Sequence, residues 1–301
     1  VATERTSPPT RRVVAVLNLL ADDPATPRTL TAVASTAGLS PATCLGILNE
    51  LSEAGYVVRH PDRTYSLGGA LVSLGAAARD GRPGIDRARR ELRELSTELG
   101  RFCTASSVIG DEIVVLDTAG PARDGLPFVQ PGSRFPFLAP VGLVNAAWCS
   151  DAEIASWIER APIDLGRTKR ARMRSVIASC RRHGVAVERL TNAETSLHQI
   201  LPLALRSVSG EATRRALSEA LLVFADRDYL VEELDRPGSS SVSVICAPCF
   251  DAGGHPELIL AVYVMEAAVK HTAVRSMATR LRRAADAVTA SMGGHDPFTH
   301  A

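Results

Sequence analysis

The stretch TLTAVASTAGLSPATCLGILNELSEAG, residues 29–55, holds two helical patterns joined by a single glycine turn. Thr29 is placed to cap a short helix over Leu30 to Ala37, with Leu30, Val33 and Ala34 on one face. Gly38-Leu39-Ser40 makes the turn, Ser40 caps the next helix, and Pro41 takes its first position, where the missing amide proton costs nothing. That helix is expected to run to about Ala54, with Cys44, Ile47, Leu48 and Leu51 inward and Gly55 as its stop. Ala42, Thr43, Gly46, Asn49 and Glu50 are left facing outward. Upstream, Val13, Val16, Leu17 and Leu20 mark a helix from about Arg11 to Ala21. Downstream, Tyr56 to His60 and Thr64 to Leu67 read as two short strands around Pro61-Asp62-Arg63. Helix, short helix, glycine turn, helix and hairpin together make a winged helix-turn-helix.

This module occupies less than a quarter of the 301 residues, so a second domain is expected. With 46% hydrophobic and 22% charged residues, the composition excludes extended disorder, collagen-like sequence and repeats. No apolar run reaches the roughly 20 residues of a membrane span, and residues 1–12 have no signal-peptide pattern, so the cytoplasm is the expected location. Cys44, Cys103, Cys149, Cys180, Cys246 and Cys249 lie mostly in apolar contexts and read as buried thiols, with no disulfide framework. A net charge of +1 argues against bulk electrostatic coating of nucleic acid, so DNA contact must come from a local site.

The segment from Val13 to Gly75 resembles the DNA-binding domain of IclR-type bacterial transcriptional regulators. Ser40-Pro41-Ala42-Thr43, Ile47-Leu48-Asn49-Glu50-Leu51, Ala54-Gly55-Tyr56-Val57, Tyr65-Ser66-Leu67-Gly68 and a linker helix at Leu71-Val72-Ser73-Leu74-Gly75 carry the likeness. Helix-turn-helix geometry then puts Ala42, Thr43 and Gly46 at the reading positions and Thr29 and Ser40 at helix N-termini suited to phosphates. Arg59, His60 and Arg63 on the wing, with Arg11, Arg12 and Arg28, are placed for backbone or minor-groove contact. Two features depart from the family pattern: Gly46 stands where an arginine is common, and Leu45 is its neighbour. Residues 1–80 carry seven arginines, no lysine and seven carboxylates, so affinity per protomer should be low and a symmetric dimer or tetramer should supply avidity.

Beyond a hinge at Arg79 to Gly84, an amphipathic helix from Ile85 to Leu99 precedes a hairpin, Phe102 to Val108 and Glu112 to Asp117, about Gly110-Asp111. The resemblance implies a fold class of two α/β domains, the second a GAF-like mixed α/β effector domain. The expected bounds are 1–68 for the winged module, 69–84 for the linker helix and hinge, and 85–293 for the effector domain. Gly132-Ser133-Arg134-Phe135-Pro136 and Gly142 to Trp148 are similar to the family's cavity-lining loop and helix, while His183 to Val187 and Val244 to Asp251 resemble two of its strands. Leu258 to Met265 reads as a further buried strand, and His271 to Met292 as a closing helix. The expected cavity is lined by Pro140, Val141, Gly142, Asn145, Cys246, Ala247, Ala261 and Tyr263, which suits a small, largely apolar metabolite. Arg134 reads as half of a structural ion pair rather than a carboxylate anchor. Residues 190–241 lengthen the family pattern, with helical stripes over Ala193 to Val208 and Ala212 to Phe224.

The competing class is a redox protein or enzyme built on Cys246-Ala247-Pro248-Cys249 with a degenerate helix-turn-helix. The pair sits in a strand-like run, where its sulfurs point to opposite faces and no helix dipole lowers a thiol pKa. No Gly-rich phosphate loop, nucleophile elbow or His-Glu-x-x-His occurs, and no second Cys or His pair completes a zinc site. A regulator without catalytic residues, metal or cofactor is therefore expected, with operator DNA and a metabolite as its partners.

Overall fold

The computed structural model describes residues 7–298 except 22, 82, 122–128, 140, 162, 190–233 and 235. The chain divides into two compact units, residues 1–82 and 83–301.

In the first unit, α1 (Pro8–Ala21), α2 (Leu30–Thr36) and α3 (Pro41–Glu53) precede β2 (Val57–Arg59), β3 (Thr64–Leu67) and α4 (Ala70–Asp80). Helix α1 starts three residues earlier than Arg11, because Pro8 and Pro9 are well accommodated in a first turn, where amide protons have no helical partner. A two-residue strand, β1 (Arg28–Thr29), is new relative to the sequence reading and pairs with β3, giving the sheet order β1-β3-β2. Val16, Leu20, Val33, Ala34, Cys44, Leu48, Leu51, Val57 and Tyr65 form one core, which Ile47 borders half-buried. The return from the wing crosses close behind the end of α3. Gly55 ends that helix in the left-handed region (φ +74°), and a Cβ on Gly68 would lie 2.2 Å from the Gly55 carbonyl oxygen. Any side chain at residue 68 would push the wing off the helix.

The second unit is mixed α/β. Its six-stranded antiparallel sheet has the order β6-β5-β4-β9-β8-β7. The strands are β4 (Phe102–Ile109), β5 (Glu112–Ala119), β6 (Arg134–Pro136), β7 (Ala186–Glu188), β8 (Ser239–Phe250) and β9 (Pro256–Lys270). Helices α5 (Pro83–Leu99) and α9 (His271–Ser291) pack on the sheet, α5 through Ile85, Ala88, Leu92 and Leu95 and α9 through Val274, Leu281 and Val288. Met277 of α9 packs half-buried against the same core.

Three helices, α6 (Leu143–Ala146), α7 (Asp151–Glu159) and α8 (Gly166–His183), link β6 to β7. Helix α7 opens with a reciprocal capping box between Ser150 and Glu153, a signal present in the sequence as Ser-x-x-Glu. The expected strand at His183 begins later: His183 is the last residue of α8, Gly184 caps it with φ 66°, and β7 starts at Ala186. The helical stripes expected within 193–224 lie outside the described residues.

Candidate nucleic-acid interface

The chain turns by 112° between α2 and α3, within the 90–120° or so usual for a helix-turn-helix. Both helix starts are capped by their own side chains. Thr29 Oγ1 accepts the Ala32 N–H at 3.3 Å, and Ser40 Oγ accepts the Thr43 N–H at 3.2 Å. The Ser40 and Thr43 hydroxyls also share a hydrogen bond of 2.9 Å. Thr43 is therefore half-buried and part of the cap, whereas Ala42, Leu45, Gly46 and Asn49 lie exposed on α3.

The wing is tied to the helix-turn-helix through β1. Thr29, the cap of α2, is the cross-strand partner of Thr64, and Arg28 that of Tyr65. Sequence reasoning missed this link because two residues carry no readable periodicity. Arg59 on β2 and Arg63 at the wing tip are exposed, and Arg63 takes a left-handed conformation with φ 64°. Asp62 shapes the tip by accepting the Thr64 N–H at 3.0 Å and the Thr64 Oγ1–H at 2.7 Å, and these bonds hold its carboxyl below the usual range. His60 Nε2 and Ser66 Oγ are 2.9 Å apart across the hairpin.

The residues expected around an effector fall into three groups. Pro140 is outside the described residues. Val141, buried, uses its carbonyl to accept the Trp157 indole N–H at 3.1 Å; Gly142 precedes α6 with φ 81°. Asn145 is only 4% exposed, and its Nδ2 has no hydrogen-bond partner. On the sheet, Ala186, Cys246, Ala261 and Thr104 form one row across β7, β8, β9 and β4. Tyr263 follows in the next row, opposite Val244 and Phe102, its ring 5.7 Å from that of Phe102. Ala247 is a correction: strand alternation turns it to the opposite face from Cys246, so the two cannot line one cavity.

Cys246 feels the Glu188 carboxylate and Cys180 of α8, while Cys249 feels Asp286 of α9 and Glu91 of α5, as side chains on opposite sheet faces would. Burial pushes both thiols well up, and Cys103 and Cys180 to about 12. Arg134 pairs with Glu112 at 2.6 Å across β5 and β6. A surface groove of about 440 Å³ lies elsewhere, lined by Arg93, Glu94, Thr97, Glu98 and Arg280. There Arg280 of α9 reaches Glu98 of α5 at 2.5 Å and Glu91 and Glu94 at 3.7 Å, a helix-to-helix clamp that accounts for its charges.

A capped helix-turn-helix with a paired wing, followed by a mixed α/β unit, places the chain in the winged helix-turn-helix class of folds. Residues 9–61 match the model of the IclR helix-turn-helix domain. Those residues carry an IclR-type helix-turn-helix domain, and the chain as a whole shares the fold of solved IclR-type regulators. It is similar in fold to the crystal structure of an IclR transcriptional regulator from Alicyclobacillus acidocaldarius, with 21% identity and a TM-score of 0.69 over 96% of this chain and 100% of that one. Pseudomonas aeruginosa HmgR matches with 21% identity and a TM-score of 0.62 over 95% and 99% of the two chains. An IclR homolog complexed with 4-hydroxybenzoate, from Microbacterium hydrocarbonoxydans, matches with 16% identity and a TM-score of 0.63 over 94% and 98%. A comparison with curated proteins finds no match. Among the described residues, no single helix is long and apolar enough to cross a membrane.

Proposed function

We propose that this chain is a ligand-responsive regulator that binds operator DNA in the cytoplasm as a homodimer or homotetramer and controls catabolic genes. The observation that carries the DNA half is the capped α2–α3 pair bent by 112°, inside the segment that matches the IclR helix-turn-helix domain. Helix α3 presents Ala42 and Gly46 to base edges, while the starts of α2 and α3, at Thr29 and Ser40, and Arg59 and Arg63 on the wing hold phosphates. Thr43 supports that face through its bond to Ser40.

The effector half rests on Asn145. Its buried, unpartnered amide N–H is a donor left for a polar atom of a small molecule, and desolvating it unpaired costs about 1–3 kcal/mol. Buried Cys246 and Ala261 and half-buried Tyr263, on one face of the sheet, are the apolar residues nearest in kind to the wall of such a site. The homolog that binds 4-hydroxybenzoate makes an aromatic acid the first probe. An effector that prefers one arrangement of the oligomer would shift DNA affinity by its differential binding. The redox alternative is not favoured, since Cys246 and Cys249 are buried on opposite faces.

The test is to incubate the purified chain with sheared genomic DNA, sequence the bound fragments, and titrate the recovered site with salt and with 4-hydroxybenzoate and related acids. Enrichment of an inverted repeat, with affinity falling steeply in salt and shifting with one of the acids, is the expected result. Recovery of no preferred fragment would refute the reading.

A further inference from the structure

Gly46 sits in the middle of α3 with nothing to explain it in the fold. Its backbone is ordinary helix, and a Cβ added there would meet no atom within 4 Å, so neither a left-handed conformation nor tight packing requires glycine. Glycine in a helix interior nevertheless weakens the helix relative to alanine. The remaining reason for such a residue is close approach of an outside surface to the helix backbone.

Its neighbours identify that surface. Ala42, Leu45, Gly46 and Asn49 are spaced i, i+3, i+4 and i+7, the spacing by which recognition helices bring side chains to base edges, and all are exposed. Leu45 keeps 38% of its surface in solvent although the core stripe of the same helix is well filled. Helix α3 carries no arginine or lysine, the residues that most often fork onto guanine in the major groove. What it offers is a methyl-rich surface, which suits the thymine C5-methyl, and one carboxamide, which suits the N6 and N7 of adenine. Beyond Asn49, Glu50 and Glu53 would be repelled by phosphates, so the part of the helix up to Asn49 is what enters the groove.

We infer that α3 is an A·T reader: Gly46 and Ala42 let the helix backbone seat close to the base edges, Leu45 packs on a thymine methyl, and Asn49 pairs with an adenine. This deepens the proposed function and rests on it.

The experiment selects binding sites from randomised duplexes with the full-length chain, then measures the best site with the parent and with Asn49→Ala, Leu45→Ala and Gly46→Ala. The parent should select A·T pairs at the positions facing α3 in each half-site. Asn49→Ala should lose the preference at one adenine, with a drop of about ten- to a hundredfold on the best site. Replacing the contacted thymine by deoxyuridine, which lacks only the methyl, should weaken the parent and leave Leu45→Ala indifferent. Gly46→Ala should melt at a higher temperature than the parent while binding DNA at least severalfold more weakly, a pairing of effects that loss of folding cannot produce. Selection of G·C at those positions, or Gly46→Ala and Asn49→Ala binding as the parent does, overturns the inference while the regulator reading stands. Failure of the parent to select any sequence overturns both.

Discussion

The guanidinium of Arg181 lies 4.4 Å from the centre of the Phe298 ring. From that position it also closes the α6–α7 connection. Nε donates to the Ala147 carbonyl at 2.8 Å, Nη2 to the Cys149 carbonyl, and Nη1 to Asp151 at 2.9 Å. Phe298 in turn packs beside Trp148 and Phe250, with ring centres 6.3 and 6.2 Å away. One arginine of α8 thus holds both the carbonyls left open after α6 and the segment that follows α9.

Phe298→Ala should therefore destabilise the second unit by about 1–3 kcal/mol, less than a fully buried phenylalanine because its ring is half-buried. Arg181→Ala should cost about as much, through the unpaired carbonyls. Urea unfolding followed by tryptophan fluorescence reads this unit alone, since Trp148 and Trp157 are the two tryptophans of the chain. A double-mutant cycle should return a coupling of roughly 0.5–2 kcal/mol for the stacked pair, and zero coupling would show the two residues to act separately.

Ser40→Ala should destabilise α3 by about 1 kcal/mol, because the Thr43 N–H loses its acceptor and the Thr43 hydroxyl its partner. Amide exchange in the first turn of α3 should quicken while α9 is unaffected. Ser40→Asp, which keeps an acceptor and suits the positive helix end, should restore protection but weaken DNA binding by repelling the phosphate. Restored binding with Ser40→Asp would remove the helix start from the interface.

The winged module was legible because its signals are local: Ser40-Pro41 starts a helix, Gly55 ends one, and each does so through contacts within a few residues. Helix α8 was overlooked because its buried positions, Met173, Ile177 and Cys180, are spread among eight basic residues in a helix that reads as polar. Strand β1 exists only by virtue of its partner β3, a long-range fact. Assigning Cys246 and Ala247 to one cavity failed for a simpler reason, since consecutive strand residues face opposite ways. Asn145 could be nominated from sequence, but its unpartnered amide is visible only once the surrounding elements are packed.

The wing tip should respond to acid. The hydrogen bonds from Thr64 lower the Asp62 carboxyl pKa below 3.8, so its folded value is below its unfolded one. The stabilisation is then fully present above roughly pH 4 and is lost as pH falls through the folded value. Exchange of the Thr64 amide, compared at fixed chemical rate, should show protection that declines below about pH 4 in the parent. Asp62→Ala should lack that protection at every pH. A parent whose Thr64 protection is unchanged down to pH 2 would mean the carboxylate does not organise the tip.

Cys246 and Cys249 should behave as inert core thiols. Each is at most 3% exposed, and burial, with Glu188 and Cys180 near the first and Asp286 and Glu91 near the second, pushes both pKa values well above 9.0. Because the thiolate is the reactive form, almost none is available at neutral pH, and access is closed as well. Labelling with a thiol reagent at pH 8 should be slow at both positions in the folded chain and fast in urea. Cys149, half-buried and raised only to about 11, should be the first of the second unit's cysteines to react. Replacing Cys246 by Ala and Cys249 by Val should leave DNA binding intact at a modest cost in stability from changed packing. Rapid modification of either residue in the folded chain, or a disulfide between them under mild oxidation, would contradict the opposed orientation that the β8–β9 register gives them.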